Sequence, residues 1–278
     1  MSERTDTRHC RKSQKRSSLG ATIGSLGSFH GQGLGYKIAQ RIIDISCSIF
    51  MLTFTCPIML IIALIIKIDS PGPILFKHTR TGINRRRKST HNYKDGERRR
   101  KDLFGTQFVL YKFRTMYSDA RSRFPELYAY TYSREELCRL PIKILVGRKR
   151  DLQWFDEPVE VDSRVVNDPR VTRFGHWLRK TSLDELPNFI NVLKGDMHLV
   201  GPRPDIAENI HYYSEKHLAK LCVKPGLTGL SQINGRGKLS FMQINDYDIE
   251  YIYKRSLKMD LKILLKTVVV SLKGDGAF

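Results

Sequence analysis

The sequence is short of acid. Its 278 residues hold 28 Asp and Glu against 48 Lys and Arg, which leaves a formal net charge of +20. That imbalance decides no fold, but it asks for an anionic partner: nucleic acid, anionic lipid or a phosphorylated substrate. Paired cysteines are also missing. Cys10, Cys47, Cys56, Cys138 and Cys222 are odd in number and none stand in C-x-x-C spacing. A disulfide framework or zinc site is therefore not expected, and reduced thiols in a cytosolic compartment fit better. The eight histidines show no H-x-x-x-H or other ligand spacing, so His176, His198, His211 and His217 are read as surface or packing residues. Neither G-x-G-x-x-G nor G-x-x-x-x-G-K-[ST] occurs, so neither a Rossmann nor a P-loop site is indicated. No small-residue cleavage site follows the first apolar run, and no cleavable signal peptide is expected.

The most informative gap is in charge along the chain. Between Asp44 and Lys67 lie 22 residues without a charged side chain, ISCSIFMLTFTCPIMLIIALII. As a helix this run would cover about 33 Å, enough to cross a hydrocarbon core. Pro57 sits at its centre, where it removes a backbone hydrogen bond and favours a kink. Both flanks are basic. Arg4, Arg8, Arg11, Lys12, Lys15, Arg16, Lys37 and Arg41 precede the run; Lys77, Arg80 and the basic stretches 85–88 and 98–101 follow it. The positive-inside tendency draws each end to the cytoplasm. A helix broken at Cys56 and Pro57 and returning to the same leaflet satisfies both ends, and an ordinary single span satisfies one.

The rest divides by composition. Residues 1–35 are Ser-, Gly- and Arg-rich without apolar periodicity and read as a disordered basic tail. Residues 36–70 read as a membrane-inserted helix and 71–278 as a globular domain on the cytosolic side. Pro71-Gly72-Pro73 is a turn; 74–76 and 108–113 read as strands of a small hairpin. Residues 84–106 and 117–167 read as insertions, with weak helical character over 118–140. Helices are predicted at 172–180, 184–193, 205–221, 240–256 and 257–273. The last has Leu257, Leu261, Leu264, Val268 and Leu272 on one face and Lys258, Lys262 and Lys266 on another, a pattern that suits a membrane interface or an ordinary core. The fold class is α+β, predominantly helical.

Chemistry concentrates in residues 179–204, RKTSLDELPNFINVLKGDMHLVGPRP. Ser182-Leu183-Asp184-Glu185 matches a capping box, which places both acids in the first turn of a helix. Acids there stabilise many helices with no further role. Their neighbours are more suggestive. Arg179 and Lys180 precede them, and Gly201-Pro202-Arg203-Pro204 follows as a rigid turn. A Gly-rich loop then runs from Pro225 through Gln232-Ile233-Asn234-Gly235 to Arg236. Guanidinium forks match phosphate oxygens, and paired carboxylates can hold Mg²⁺ beside substrate phosphates. These are the parts phosphoryl transfer needs. A glycosidase needs carboxyl groups facing each other across a bond, which neighbours on a helix do not provide.

Taken together, these residues resemble the monotopic polyprenyl-phosphate phosphoglycosyl transferases, the bacterial sugar transferases, from about residue 37 to 273. The resemblance rests on several motifs: Arg41-x-x-Asp44 with the central Pro57, Phe76-x-x-x-Arg80-x-Gly82, Tyr111-Lys112-Phe113-Arg114-Thr115-Met116, Arg179 to Pro187, Asn191 to Met197, Gly201-Pro202-Arg203-Pro204, and Gln232-x-Asn234-Gly235-Arg236. It implies a re-entrant membrane helix broken near Pro57, amphipathic interfacial helices, and a position on the cytoplasmic face of a bacterial inner membrane. It also implies transfer of a sugar-1-phosphate from a UDP-sugar to undecaprenyl phosphate, with release of UMP. Asp184 would be the covalent nucleophile, paired with Glu185, and Mg²⁺ would bind at both acids. Lys112, Arg114, Arg179, Arg203, Gln232, Asn234 and Arg236 would contact phosphate or substrate. The chain departs from the family pattern at His78, where Gln is usual, and at Leu230-Ser231, where Trp-Ala is usual. The rival reading is a non-enzymatic basic membrane-anchored protein that binds nucleic acid or acidic partners. It leaves the clustered acids, arginines and glycine turns without a role, and no nucleic-acid motif is present.

Overall fold

The computed structural model describes residues 33–83, 106–125, 138, 168–235 and 237–273. The expectations for the tail up to residue 32, for most of the two insertions and for Arg236 lie outside the described residues.

A single helix, α1 (Leu34–Asp69), opens the structure and is long and apolar enough to cross a membrane. Its buried residues are Asp44, Ser48, Thr55, Ile62 and Ile66, one stripe at helical spacing. Ile42, Ile49, Phe50, Phe54, Leu60, Ile61, Leu64 and Ile68 are exposed on its other sides. Helical structure continues through Cys56 and Pro57, so the expected interruption is not present as a gap in the helix. A proline removes one backbone donor, and the flanking turns can carry the helix past it.

Two short sheets follow. Strands β1 (Leu75–Thr81) and β2 (Gln107–Phe113) pair antiparallel, with Phe76 opposite Lys112 and Thr81 opposite Gln107. The hairpin was expected, but β1 runs five residues beyond the predicted end. Between the sheets come a short helix α2 (Ala120–Arg123), then α3 (Arg173–Thr181), a 3-10 turn Leu183–Glu185, and α4 (Asn188–Lys194). A parallel pair, β3 (His198–Val200) and β4 (Gly226–Thr228), was not foreseen because each strand has only three residues. The close approach of their flanks needs glycine: a Cβ on Gly226 would lie 2.0 Å from Gly201 N.

The helix predicted at 205–221 is instead two 3-10 segments, Ala207–Tyr212 and Glu215–Cys222. Tyr213 is extended between them, and Ser214 starts the second with a capping box to His217. The chain ends in α5 (Leu230–Gly235), α6 (Phe241–Lys254) and α7 (Leu257–Lys273). The main core gathers Leu110, Val192, Met197, Leu199, Val200, Tyr251, Ile252 and Ile263. A second cluster packs Ile62 and Ile66 of α1 against Phe113, Leu178 and Leu186.

Polar contacts tie α1 to this body at both ends. Arg41 donates to the carbonyls of Val192 and Leu193, each at 2.7 Å, and so caps the C-terminus of α4. Asp44 is buried against His198 Nδ1 at 2.6 Å and accepts from Leu199 N at 2.9 Å. At the other end, Arg114 donates to the carbonyls of Ile66, Ser70 and Pro71.

Candidate functional site

The acid pair sits between two helices rather than inside one. Ser182 ends α3 in the left-handed region, at φ 63°, the one non-glycine residue with positive φ among those described. That conformation is uncommon outside glycine and marks local strain. It also prevents the capping box: Ser182 makes no side-chain cap bond, and its buried Oγ has no hydrogen-bond partner. Asp184 and Glu185 therefore lie on the one-turn 3-10 segment, and α4 begins only after Pro187. The helix start predicted at residue 184 is corrected to Asn188.

Lys112 on β2 reaches this turn, with its Nζ 2.5 Å from Glu185 Oε1. Asp184 is 9% exposed. Arg179, one turn before Ser182, donates from Nε to Thr115 Oγ1 at 3.0 Å. Gly175 makes that contact possible, since a Cβ there would lie 2.1 Å from Thr115 O. Thr172 N also donates to that carbonyl at 3.0 Å, and Thr172 Oγ1 caps Gly175 N. His176 on the same helix is pushed below the usual histidine range by burial and by the Arg179 charge, with Asp168 opposing. Lys112 and Arg179 thus stand on elements that flank the acid pair.

Arg114 is placed differently from its neighbours in sequence. Its guanidinium is buried under the end of α1, where Nη1 and Nη2 meet carbonyl oxygens and Ser70 Oγ. Burial lowers its pKa, and Asp69 partly restores it. In this position it caps a helix.

The remaining site residues form a second group. The 201–204 turn and the strand after Pro225 are joined by Gly201 N to Thr228 O and Gly226 N to Pro202 O, both 2.9 Å. Asp248 of α6, fully buried, accepts from Arg203 N at 3.2 Å, from Ser231 Oγ at 2.9 Å and from Lys220 Nζ at 2.8 Å. Burial pushes its carboxyl up, while Lys220, Ser231 and the Arg203 N–H pull it back. Lys220 also meets Asn245 Oδ1 at 2.8 Å. Gln232 Oε1 lies 2.9 Å from Ser231 Oγ, and Asn234 donates to Leu230 O. A pocket beside this group is lined by Thr81, Pro202, Arg203, Asp205, Tyr213 and Lys220. Tyr213 donates to Asp205 at 2.8 Å, and burial next to that carboxylate raises its hydroxyl well above the usual range.

Sequence reasoning missed Thr115, Lys220, Ser231 and Asp248. One signal was available. Asn245 and Asp248 fall on the stripe of α6 that also carries Ile244, Ile249 and Ile252, where polar residues are out of place unless they bind something.

A metal ion at the acid pair would need further oxygen donors beside the two carboxylates. Among the described residues no group of three or more His, Cys, Asp and Glu could hold an ion. Mg²⁺ is commonly held by one or two carboxylates together with substrate phosphates and water. Asp184 and Glu185 offer carboxylate oxygens of that chemistry, one of which, Glu185 Oε1, is already paired with Lys112.

A bacterial sugar transferase family model matches residues 35–274. The chain is 34% identical over 242 residues to an undecaprenyl-phosphate galactose phosphotransferase of Salmonella typhimurium, covering 87% of this chain and 42% of that protein. It is 32% identical to a UDP-glucose:undecaprenyl-phosphate glucose-1-phosphate transferase of Caulobacter vibrioides, covering 87% and 72%. It is also 32% identical to an uncharacterized sugar transferase, EpsL, of Bacillus subtilis, covering 86% and 90%. Several curated relatives are longer, and the chain spans less than half the length of those from Salmonella typhimurium and Streptococcus agalactiae. With nearly the whole chain matched, this protein belongs to the bacterial sugar transferase family.

Proposed function

We propose that the chain transfers a sugar-1-phosphate from a UDP-sugar to undecaprenyl phosphate at the cytoplasmic face of a bacterial inner membrane. The observation that carries this reading is the acid turn held between Lys112 and α3, on a body that presents an apolar helix. The names of the relatives support the two substrates.

In this reading an Asp184 carboxylate oxygen attacks the phosphorus that bears the sugar. The bond from that phosphorus to the UMP oxygen breaks, and UMP leaves with the electron pair. An oxygen of undecaprenyl phosphate then attacks the same phosphorus and the Asp184 carboxylate leaves, giving the diphosphate-linked sugar. A carboxylate is ionised at neutral pH and can form such covalent intermediates. Lys112 orients Glu185, and Arg179 and Arg203 supply positive charge for the phosphates. Bound Mg²⁺ would offset repulsion between anionic groups at Asp184 and Glu185. The buried placement of Arg114 argues for a structural role in place of phosphate contact.

Both ends of α1 belong on the cytoplasmic side in this reading. A 36-residue helix extends about 54 Å, well beyond a hydrocarbon core of about 30 Å. Arg41 and Asp44 near one end and Ile66 near the other are held by the same body. A perpendicular span would separate them. The exposed side of α1 and the exposed Leu261, Leu265, Val268 and Val269 of α7 suit lipid contact. A non-enzymatic basic anchor is not favoured, since it gives the acid turn no task.

The test is UMP release from a panel of UDP-sugars with undecaprenyl phosphate and Mg²⁺, with mass spectrometry of acid-quenched enzyme. A phosphosugar adduct on Asp184 is expected. Turnover without any adduct, under conditions that preserve acyl phosphates, would rule out the covalent route.

A further inference from the structure

Asp248 touches the 201–204 turn and α5, which sequence alone kept apart. Its Oδ2 accepts from Arg203 N in the 201–204 turn, and its Oδ1 accepts from Ser231 Oγ, next to Gln232. Lys220 supplies a counter-charge at 2.8 Å, so the buried carboxylate is paired as well as hydrogen-bonded. Ser231 is itself buried, and its Oγ lies 2.9 Å from both Asp248 and the Gln232 side chain. A serine hydroxyl has one proton. The carboxylate is the stronger acceptor, so the proton points to Asp248. The two ends of a carboxamide are nearly indistinguishable in shape, and the network assigns them. With Ser231 donating to Asp248, the Gln232 amide group turns its NH2 toward Ser231 Oγ. Gly229 backs the same end of that carboxamide, where a Cβ would come 2.9 Å from it.

We propose that Ser231 and Asp248 are positioning residues for donor-substrate binding: they fix the Gln232 carboxamide in one orientation and set its spacing from Arg203. This rests on the proposed transfer reaction and on the substrate contacts that the resemblance implies for Gln232 and Arg203. Asp248 acts through both the 201–204 turn and α5, and Ser231 acts through Gln232 alone. The two roles therefore separate experimentally.

A double-mutant cycle in the full chain provides the test, with UMP release measured against UDP-sugar concentration. Ser231→Ala removes one hydroxyl from a small buried site and should leave the thermal midpoint in detergent near that of the wild type. It should raise KM for the UDP-sugar about tenfold and change kcat much less, the size of one hydrogen bond lost from binding. In a Gln232→Ala background the same substitution should have no further effect, because the group it positions is gone. Additive losses, or a Ser231→Ala enzyme as active as wild type, would overturn the positioning role while leaving the sugar-phosphate transfer intact. A wild-type protein that releases UMP from no UDP-sugar would overturn both readings.

Discussion

Arg114 Nη2 lies 2.6 Å from Ser70 O, and the same guanidinium reaches Ile66 O at 3.2 Å and Pro71 O at 2.6 Å. One side chain on the strand-exit segment thus satisfies the carbonyl end of the long apolar helix, whose last groups have no helical partners. Ile66, Ser70 and Arg114 are buried, so the Ile66 and Ser70 carbonyls have little water to turn to.

Arg114→Met is therefore expected to destabilise the protein by at least about 2 kcal/mol, since several buried acceptors lose a charged donor together. The thermal midpoint in detergent should fall, while UMP release per folded molecule should stay within about threefold of wild type. Lost turnover with an unchanged midpoint would return Arg114 to the phosphate site.

Asp184→Asn should reduce UMP release by more than about 10³-fold, the scale seen when a covalent nucleophile is removed. Membrane association should persist, because the apolar surfaces on α1 and α7 are untouched. Retained wild-type turnover would remove Asp184 as nucleophile.

The placement of α1 can be tested from its ends. Leu34 and Cys138 are both exposed. In a variant otherwise free of cysteine, a cysteine at position 34 and the native Cys138 should be labelled from the same side of sealed vesicles by an impermeant maleimide. Labelling from opposite sides would show that α1 spans the bilayer.

His217 makes a pH prediction. Burial lowers its pKa first, with Lys216 and Lys220 adding to that and Asp246 opposing. A histidine depressed in the folded state contributes stability that is complete above its unfolded pKa, about 6.5, and is lost as pH falls through the folded value. The thermal midpoint should decline on acidification below about pH 6.5. His217→Gln keeps a capping side chain after Ser214 and should flatten that decline. An unchanged decline in the variant would place the titration elsewhere.

Local pattern made much of this legible. The 22 uncharged residues before Lys67 announced α1, and the short aromatic and aliphatic run at 108–113 announced β2. The acid pair and the arginine turns stood close enough in sequence to be read as one region. The helix start at Ser182 was misread because Ser-x-x-Glu describes a cap only when the serine backbone is extended, and here its φ is positive. Arg114 was misread because strand alternation would set it on the same face as Lys112, but β2 ends at Phe113 and Arg114 turns under the end of α1 instead.

The sequence by itself determined the apolar helix, the hairpin and the residues able to handle phosphate, because periodicity and residue chemistry are local properties of the chain. Tertiary structure alone decided which arginine caps a helix, how Lys112 meets Glu185 across 73 positions, and that Asp248 joins the Arg203 turn to Ser231. Those choices depend on which distant backbone groups are buried beside each charge, and a buried polar group must take whatever partner the packing brings within reach.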